Sequence, residues 1–352
     1  MKKISFCAVA AISLLMSCSP EEDPFVPVDY NRLTYLIQDN FNLATFSAGL
    51  LRSGHDRTLL EDGPYTVLVP SDEAFASNGI GVTDMQTARA AWVNNTVGYH
   101  ILEGLYELEK LPFVFNQELR SIVGNPVYVT RWIKEQDTVA TVNGVNIYSE
   151  RIQTNNGIAY VLENTLTTDV HENIVDYIAA TEDLTLFSQA IQRSGLVEIL
   201  RKDGPYTIFA PNNDAMIDFG YASLQAVNAA EPSELAELVR YHVLEGRRFY
   251  NDFPLTMTMD EQGDFLVDDL VSGIVTTSIV RNGYRGSLNA RMMDGNRVTF
   301  VYAHGTASNA GRFRLTVTDV AGEEAAVHRL NKDFIGRNGV VHHVNKVMKH
   351  AR

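Results

Sequence analysis

Two short stretches of this chain, Tyr65–Val69 and Tyr206–Ala210, are apolar or β-prone at nearly every position. That is the pattern of a strand covered on both faces. Each follows an Asp-Gly-Pro turn, Asp62-Gly63-Pro64 or Asp203-Gly204-Pro205, and each is stopped by a proline, Pro70 or Pro211. Ser71 or Asp72 in one place, and Asn212 or Asn213 in the other, then offer N-cap oxygens. Glu73 and Asp214 put a carboxylate in the first helical turn, where the dipole favours it. A further helix is predicted from Glu231-Pro232-Ser233-Glu234, with proline near its start. Leu235, Leu238, Val239, His242 and Val243 follow at the spacing of a buried face, matched upstream by Val93, Thr96, Val97, His100 and Ile101. On this reading Gly104 and Gly246 close the helices, and Gly157–Leu166 and Gly339–Met348 are turns leading into closing strands.

These paired features are parts of one long repeat. Leu43-Ala44-Thr45-Phe46-Ser47, Arg52-Ser53-Gly54 and Asp62–Val67 recur in the same order as Leu184-Thr185-Leu186-Phe187-Ser188, Arg193-Ser194-Gly195 and Asp203–Ile208. Tyr99–Gly104 recurs as Tyr241–Gly246, and Asn156–Val161 as Asn338–His343. Three blocks in the same order at a nearly constant offset make the chain a tandem duplication. The copies are assigned to 30–168 and 170–352, and a cut near residue 169 is expected to leave two independently soluble pieces.

Composition changes the picture at the N-terminus. Both cysteines of the 352 residues, Cys7 and Cys18, lie in the first twenty positions. The folded part therefore has no disulfide and no thiolate metal site. Lys2 and Lys3 precede an apolar run, Ile4–Leu15, that is too short to span a bilayer as a helix. Leu15-Met16-Ser17-Cys18 resembles a bacterial lipobox, which implies a signal peptide over 1–17 and lipidation at Cys18. Residues 18–29, acidic and proline-rich, read as a tether. Its acidic start resembles the surface-export signal of Bacteroidetes lipoproteins. The implied location is the outer membrane with the chain exposed at the cell surface; a periplasm-facing chain is the alternative. A net charge of −14 argues against sequence-independent nucleic-acid binding.

The strand, proline and cap block resembles the first conserved box of the fasciclin domain. Thr207–Met216 matches it closely, and Thr66–Phe75 about as well. Asn338–Val344 is similar to the family's second box, which the first copy departs from with Tyr160 in place of histidine. The resemblance implies an α+β fold: two tandem domains, each a wedge-shaped β-sandwich of about seven strands with a helical layer. Asn331-Lys332-Asp333-Phe334-Ile335 resembles the Asn-Lys-Asp-Ile-Leu segment linked to integrin recognition in animal matrix proteins. It differs at the last two positions, and the preferred reading is a turn and short helix leading into a core strand, with Phe334 and Ile335 inward.

No nucleophile elbow, zinc-protease helix, phosphate loop or dinucleotide fingerprint occurs in the sequence. No catalytic residue, metal ligand or cofactor is assigned. His100 and His242 are expected as core histidines, and His342 and His343 as strand neighbours on opposite faces. Asp260, Glu261, Asp264, Asp268 and Asp269 read as a solvated acidic face without the spacing of a calcium loop.

The second copy is longer by about forty residues between Gly246 and Gly339 than the first between Gly104 and Gly157. This excess is assigned to hairpins inserted at about 255–325, with turns at Asn282-Gly283, Asp294-Gly295 and Ser308–Gly311. Tyr284, Arg285, Arg291, Arg297, Tyr302, Arg312 and Arg314 fall there, and arginine and tyrosine favour interfaces. They are the candidate partner-binding residues; covering a sheet edge is the competing role for the insertion. The expected function is a lipid-anchored, non-enzymatic adhesion module for an extracellular protein, matrix component or glycan. The alternative is an accessory subunit of an outer-membrane glycan-uptake complex.

Overall fold

The structure is a computed structural model. It describes residues 28–349 apart from 135, 149–150, 168–169, 203, 272–273, 306–313 and 329. The lipidation candidate Cys18, most of the tether, Arg312 and the proposed turn at Ser308–Gly311 therefore lie outside the described residues. Side chains are not described for residues 268–276, 278 and 305, which include Asp268 and Asp269.

The first copy contains β1 (Tyr65–Pro70), β2 (Ile101–Glu103), β3 (Gln117–Arg120), β4 (Pro126–Lys134), β5 (Asp137–Val142), β6 (Val145–Asn146), β7 (Ile152–Thr154) and β8 (Gly157–Leu162). They form two sheets, β2-β1-β8-β7 and β3-β4-β5-β6, with β1 and β8 parallel at its centre in the first. The apolar run of β1 is explained by what covers it. Val67 and Val69 pack with Phe46, Leu50, Phe75 and Val97 of the helical layer. Leu68 points the other way, toward Tyr99, Val127, Val129 and Tyr160 between the sheets. Helix, sheet and second sheet thus stack as the α+β expectation requires.

The second copy repeats the plan with β9 (Tyr206–Pro211), β10 (Val243–Glu245), β11 (Met259–Val271), β12 (Ile274–Arg291), β13 (Arg297–Gly305), β14 (Arg314–Thr318), β15 (Glu324–Ala326), β16 (Phe334–Gly336) and β17 (Gly339–Val344). Its sheets run β10-β9-β17-β16 and β11-β12-β13-β14-β15. Ile208 and Ala210 face the helices, and Phe209 faces Phe253 and Phe300. Ser71 and Asn212 are the N-caps, accepting from the N–H of Ala74 at 3.1 Å and of Ala215 at 2.9 Å. Gly54 and Gly195 end their helices at φ 82° and 74°, a conformation that glycine reaches without Cβ strain.

Three local expectations are corrected. Gly104 and Gly246 do not close helices: these end at Tyr99 and Tyr241. The His100 and His242 carbonyls are taken by the N–H groups of Leu68 (2.8 Å) and Phe209 (2.9 Å), so Ile101 and Val243 are buried as strand residues instead. Asn282-Gly283 is no hairpin turn but an interior point of β12, opposite a register shift around Gly263. Asn331–Asp333 leads into β16 without an intervening helix.

The inserted length lies within 255–325 and occupies only part of that span. β3 ends beside Ser121, which bridges Leu102, and β12 ends beside Met292, which bridges Leu244. The end of β12 and β13–β15 therefore correspond to β3–β6, and the added material is one long hairpin made by β11 and the start of β12.

The two copies meet across a joint that the repeat pattern does not announce. Arg247, only 6% exposed, donates to the carbonyls of Gly336 (3.0 Å), Gly339 (2.6 Å) and Arg337 (2.7 Å) of its own copy. Its guanidinium lies 3.8 Å over the Tyr128 ring of the other copy. Arg248 covers Phe115 at 4.1 Å. Tyr128 and Phe249 share a buried cluster with Ile335 and Val340. Gly144, at φ 74°, admits Phe249: a Cβ there would sit 2.5 Å from the Phe249 Cβ. Asn116 Nδ2 donates to the Arg247 carbonyl (2.7 Å) and to Asp252 Oδ2 (3.2 Å), and Lys134 Nζ to the carbonyls of Pro254 and Met257 (2.6 Å each).

Candidate functional site

A cleft of about 860 Å³ opens where the two copies meet. One wall comes from the first copy: the Asn143–Asn146 turn, Glu163–Thr167 beyond β8, and Ser77-Asn78 after the helix Asp72–Ala76. Asn143 (φ 47°) and Gly144 (φ 74°) form the two-residue turn joining β5 to β6, a conformation suited to Asn-Gly, and this pushes the turn into the cleft. The other wall is built from Tyr250–Leu255, the Leu330–Ile335 segment and one face of the β11-β12-β13 sheet.

That sheet face explains which side chains line the cleft. Tyr284 pairs with His304 and Gly286 with Tyr302 in the β12–β13 register. Alternation puts Tyr284, His304 and Tyr302 on one side. Deeper in the domain the same face carries Phe300 and Val298 into the core. Because β11–β13 run beyond that core, Tyr284 and His304 emerge half-buried into the cleft, while Tyr302 remains 5% exposed.

The charges of the lining cancel and are held internally. Lys134 is fixed by two carbonyls. Glu163 accepts from Asn146 Nδ2 at 2.9 Å. Asp333 Oδ1 accepts the Tyr250 N–H at 2.7 Å, and Lys332 sits 4.2 Å over the Tyr250 ring and 3.7 Å from Asp333 Oδ2. Desolvation lowers the His304 pKa from its ordinary 6.5, which favours the uncharged ring. Among the described residues no group of three or more His, Cys, Asp and Glu could hold a metal ion.

Of the candidate partner-binding residues, the structure brings Tyr284 and Tyr302 together in the cleft. Arg314 is 5% exposed and forms part of the interior. Arg285 pairs with Glu324 at 3.5 Å, and Arg291 donates to the Gly295 carbonyl at 3.1 Å; both lie apart from the cleft. Arg297 is exposed and its carbonyl accepts the Tyr241 hydroxyl at 3.2 Å. The Asn331–Ile335 motif divides: Lys332 and Asp333 line the cleft, Phe334 stacks on Tyr177 at 4.5 Å, and Ile335 is buried. Sequence reasoning missed the first-copy wall, whose signal was the Asn143-Gly144 pair.

The expected core histidines are in place. His100 bridges the Thr96 carbonyl (2.8 Å) and the Leu166 N–H (3.1 Å), and burial holds its pKa at about 4. His342 and His343 face opposite sides: the first packs on Phe209, the second meets the Tyr177 hydroxyl at 2.9 Å.

Human periostin is 28% identical to the chain over 183 residues, which is 52% of this chain and 21% of periostin. Mouse Stabilin-1 is 27% identical over 212 residues, 59% of this chain and 8% of that protein. The chain thus spans about a fifth of one relative and less than a tenth of the other. A solved fasciclin domain pair from the insect cell adhesion molecule Fasciclin I aligns at 12% identity, with 88% of this chain and 98% of that one covered, at a TM-score of 0.36. The fasciclin-domain model matches residues 41–168 and again 182–350, so this chain belongs to the fasciclin-domain family as a tandem pair.

Proposed function

We propose that this chain is a lipid-anchored, non-enzymatic adhesion module that binds an extracellular protein, matrix component or glycan at the outer surface of its cell. The observation that carries the reading is the joint. Two fasciclin domains are locked together by Arg247, Phe249 and Asn116, and the broad cleft beside that joint is lined from both. A binding surface shared by two domains is a common setting for ligand recognition. The anchor rests on Leu15–Cys18 of the sequence. No helix among the described residues is long and apolar enough to cross a membrane.

Two experiments test this. Cys18→Ala abolishes labelling by a fatty-acid probe and leaves the precursor uncleaved; retained labelling removes the anchor from the proposal. Capture of extracellular material on the immobilised chain from residue 25 onward retains a specific partner. Failure to retain any surface protein, matrix component or glycan defeats the adhesion reading.

A further inference from the structure

We propose that the cleft between the two domains is a binding site for an uncharged carbohydrate chain, with Tyr284 as the platform on which a sugar ring lies. This rests on the adhesion reading and gives it a ligand class. Four observations converge on it.

The first is electrostatic. The protein carries a net charge of −14, yet Lys134, Lys332, Glu163 and Asp333 in the cleft balance. All four have partners within the fold. Among the described residues the lining carries two cations and two carboxylates, so it presents no net complementary charge to a ligand of either sign. A neutral ligand can occupy the cleft without disturbing the hydrogen bonds that hold Lys134 and Glu163 or the Lys332–Asp333 contact.

The second is the polar character of the remaining lining. Asn78, Asn146, Asn164 and Asn251 supply amide groups, which both donate and accept. Asn251 Nδ2 is used on the Gly144 carbonyl at 2.8 Å, so its side chain is held in one orientation with the carbonyl oxygen left to accept. Asn78 Nδ2 and Asn164 Oδ1 are linked at 2.6 Å, which fixes two amides side by side at the rim. A row of oriented amides suits a ligand that presents a hydroxyl at each carbon.

The third is Tyr284. It is half-buried on a strand rather than a loop, and its hydroxyl forms no hydrogen bond among the described residues. Its neighbour across the strands, His304, is held toward the neutral form by desolvation. An aromatic side chain with an apolar face and a polar tip matches a sugar, whose ring offers C–H groups on its face and hydroxyls at its edge.

The fourth is shape. A volume of about 860 Å³ lies in the range of about 300–1,000 Å³ found for small-ligand sites. The walls are supplied by separate domains, so the cleft is open along the seam and admits a segment of a longer chain.

The test uses the whole chain, purified in a detergent without a sugar headgroup. Short fragments of glucan, mannan, xylan and galactan are titrated by calorimetry, alongside sulfated and uronate-containing fragments. Two variants are compared: Tyr284→Ala, which removes the platform, and Thr167→Trp, which puts bulk on the exposed opposite wall. The expected result is binding of at least one neutral fragment, weakened about tenfold or more in both variants, with unchanged thermal unfolding; a tenfold loss corresponds to about 1.4 kcal/mol. Should one variant unfold, the other decides. Binding confined to charged fragments, binding untouched by a folded variant, or no binding of any neutral fragment would each overturn the proposal. Capture of a protein partner is measured in parallel. If that capture persists while sugar binding fails, the carbohydrate site is lost and the adhesion reading stands.

Discussion

His242 Nε2 accepts the backbone N–H of Met348 at 3.0 Å while its Nδ1 meets the Leu238 carbonyl at 2.8 Å. Two contacts fix the ring's chemistry: Nδ1 must carry the proton and Nε2 must not. The histidine fastens the last turn of a helix to the chain segment beyond the closing strand. His100 makes the same pair of contacts in the first domain.

Replacing His242 by leucine therefore leaves a buried N–H and a buried carbonyl without their partner. A loss of about 2–4 kcal/mol is expected, since each buried polar group left unmet costs about 1–3 kcal/mol. Urea unfolding of the variant measures it; a change below about 0.5 kcal/mol would show that water or repacking replaces the ring.

The buried histidines also set an acid limit. Burial lowers the pKa of His100 and of His343 from 6.5 to about 4, and that of His342 in the same direction. A depressed folded value means that the native state resists protonation that the unfolded chain accepts. Their contribution to stability is complete above pH 6.5 and is lost as pH falls toward about 4. For His100 alone it is on the order of 3 kcal/mol. Thermal unfolding followed from pH 7 to 4 should show a steep fall, less steep in a folded His100→Asn variant; equal slopes would refute the assignment.

Asp252 acts in the opposite sense at the joint. It is fully buried, and desolvation raises its pKa from 3.8 to about 6, against the Phe249 N–H and Asn116 amide that favour the charged form. Arg248 is the nearby cation. With its folded value raised, stability from this group is present below pH 3.8 and lost as pH rises through about 6. Asp252→Asn keeps a side-chain carbonyl to accept from Phe249 and removes the titration. Relative to wild type, the variant should gain on the order of 3 kcal/mol between about pH 4 and pH 7. A difference independent of pH would exclude this role.

The joint itself is tested at Gly144. Alanine there meets a positive φ and the Phe249 side chain together, and a cost of about 2–4 kcal/mol is expected from strain and overpacking. Arg247→Ala uncovers Tyr128 and removes three hydrogen bonds to the carbonyls of Gly336, Arg337 and Gly339. Either change should separate a single unfolding transition into two by calorimetry. One undivided transition in both variants would mean that the domains are coupled elsewhere.

How much of this was legible follows from what each residue contacts. The β1 and β9 runs, the caps Ser71 and Asn212 and the opposed faces of His342 and His343 depend on local chemistry and pairing, so the sequence pattern reports them. The helix-to-strand switch at His100 and His242 does not show, because helix spacing and strand burial both call for an apolar residue at Ile101 and Val243. Tyr302 and Arg314 looked like surface anchors because a buried tyrosine or arginine cannot be told from an exposed one without knowing which strand lies opposite. The cleft was hidden for a further reason: its walls are far apart in sequence, and the contact that builds it depends on a glycine that must both take a positive φ and leave room for Phe249.

That contact gives the molecule a direction. Leu105-Tyr106 follows the first Leu-Glu-Gly, and Arg247-Arg248 follows the second. Only the later copy therefore holds the arginine plug, and the earlier one the Tyr128 and Gly144 socket that receives it. Copies that began alike have become lock and key, and their order along the chain is no longer interchangeable. A protein with the two halves transposed would keep every strand and helix and lose the plug-and-socket contact between them, and with it the groove that neither half possesses alone.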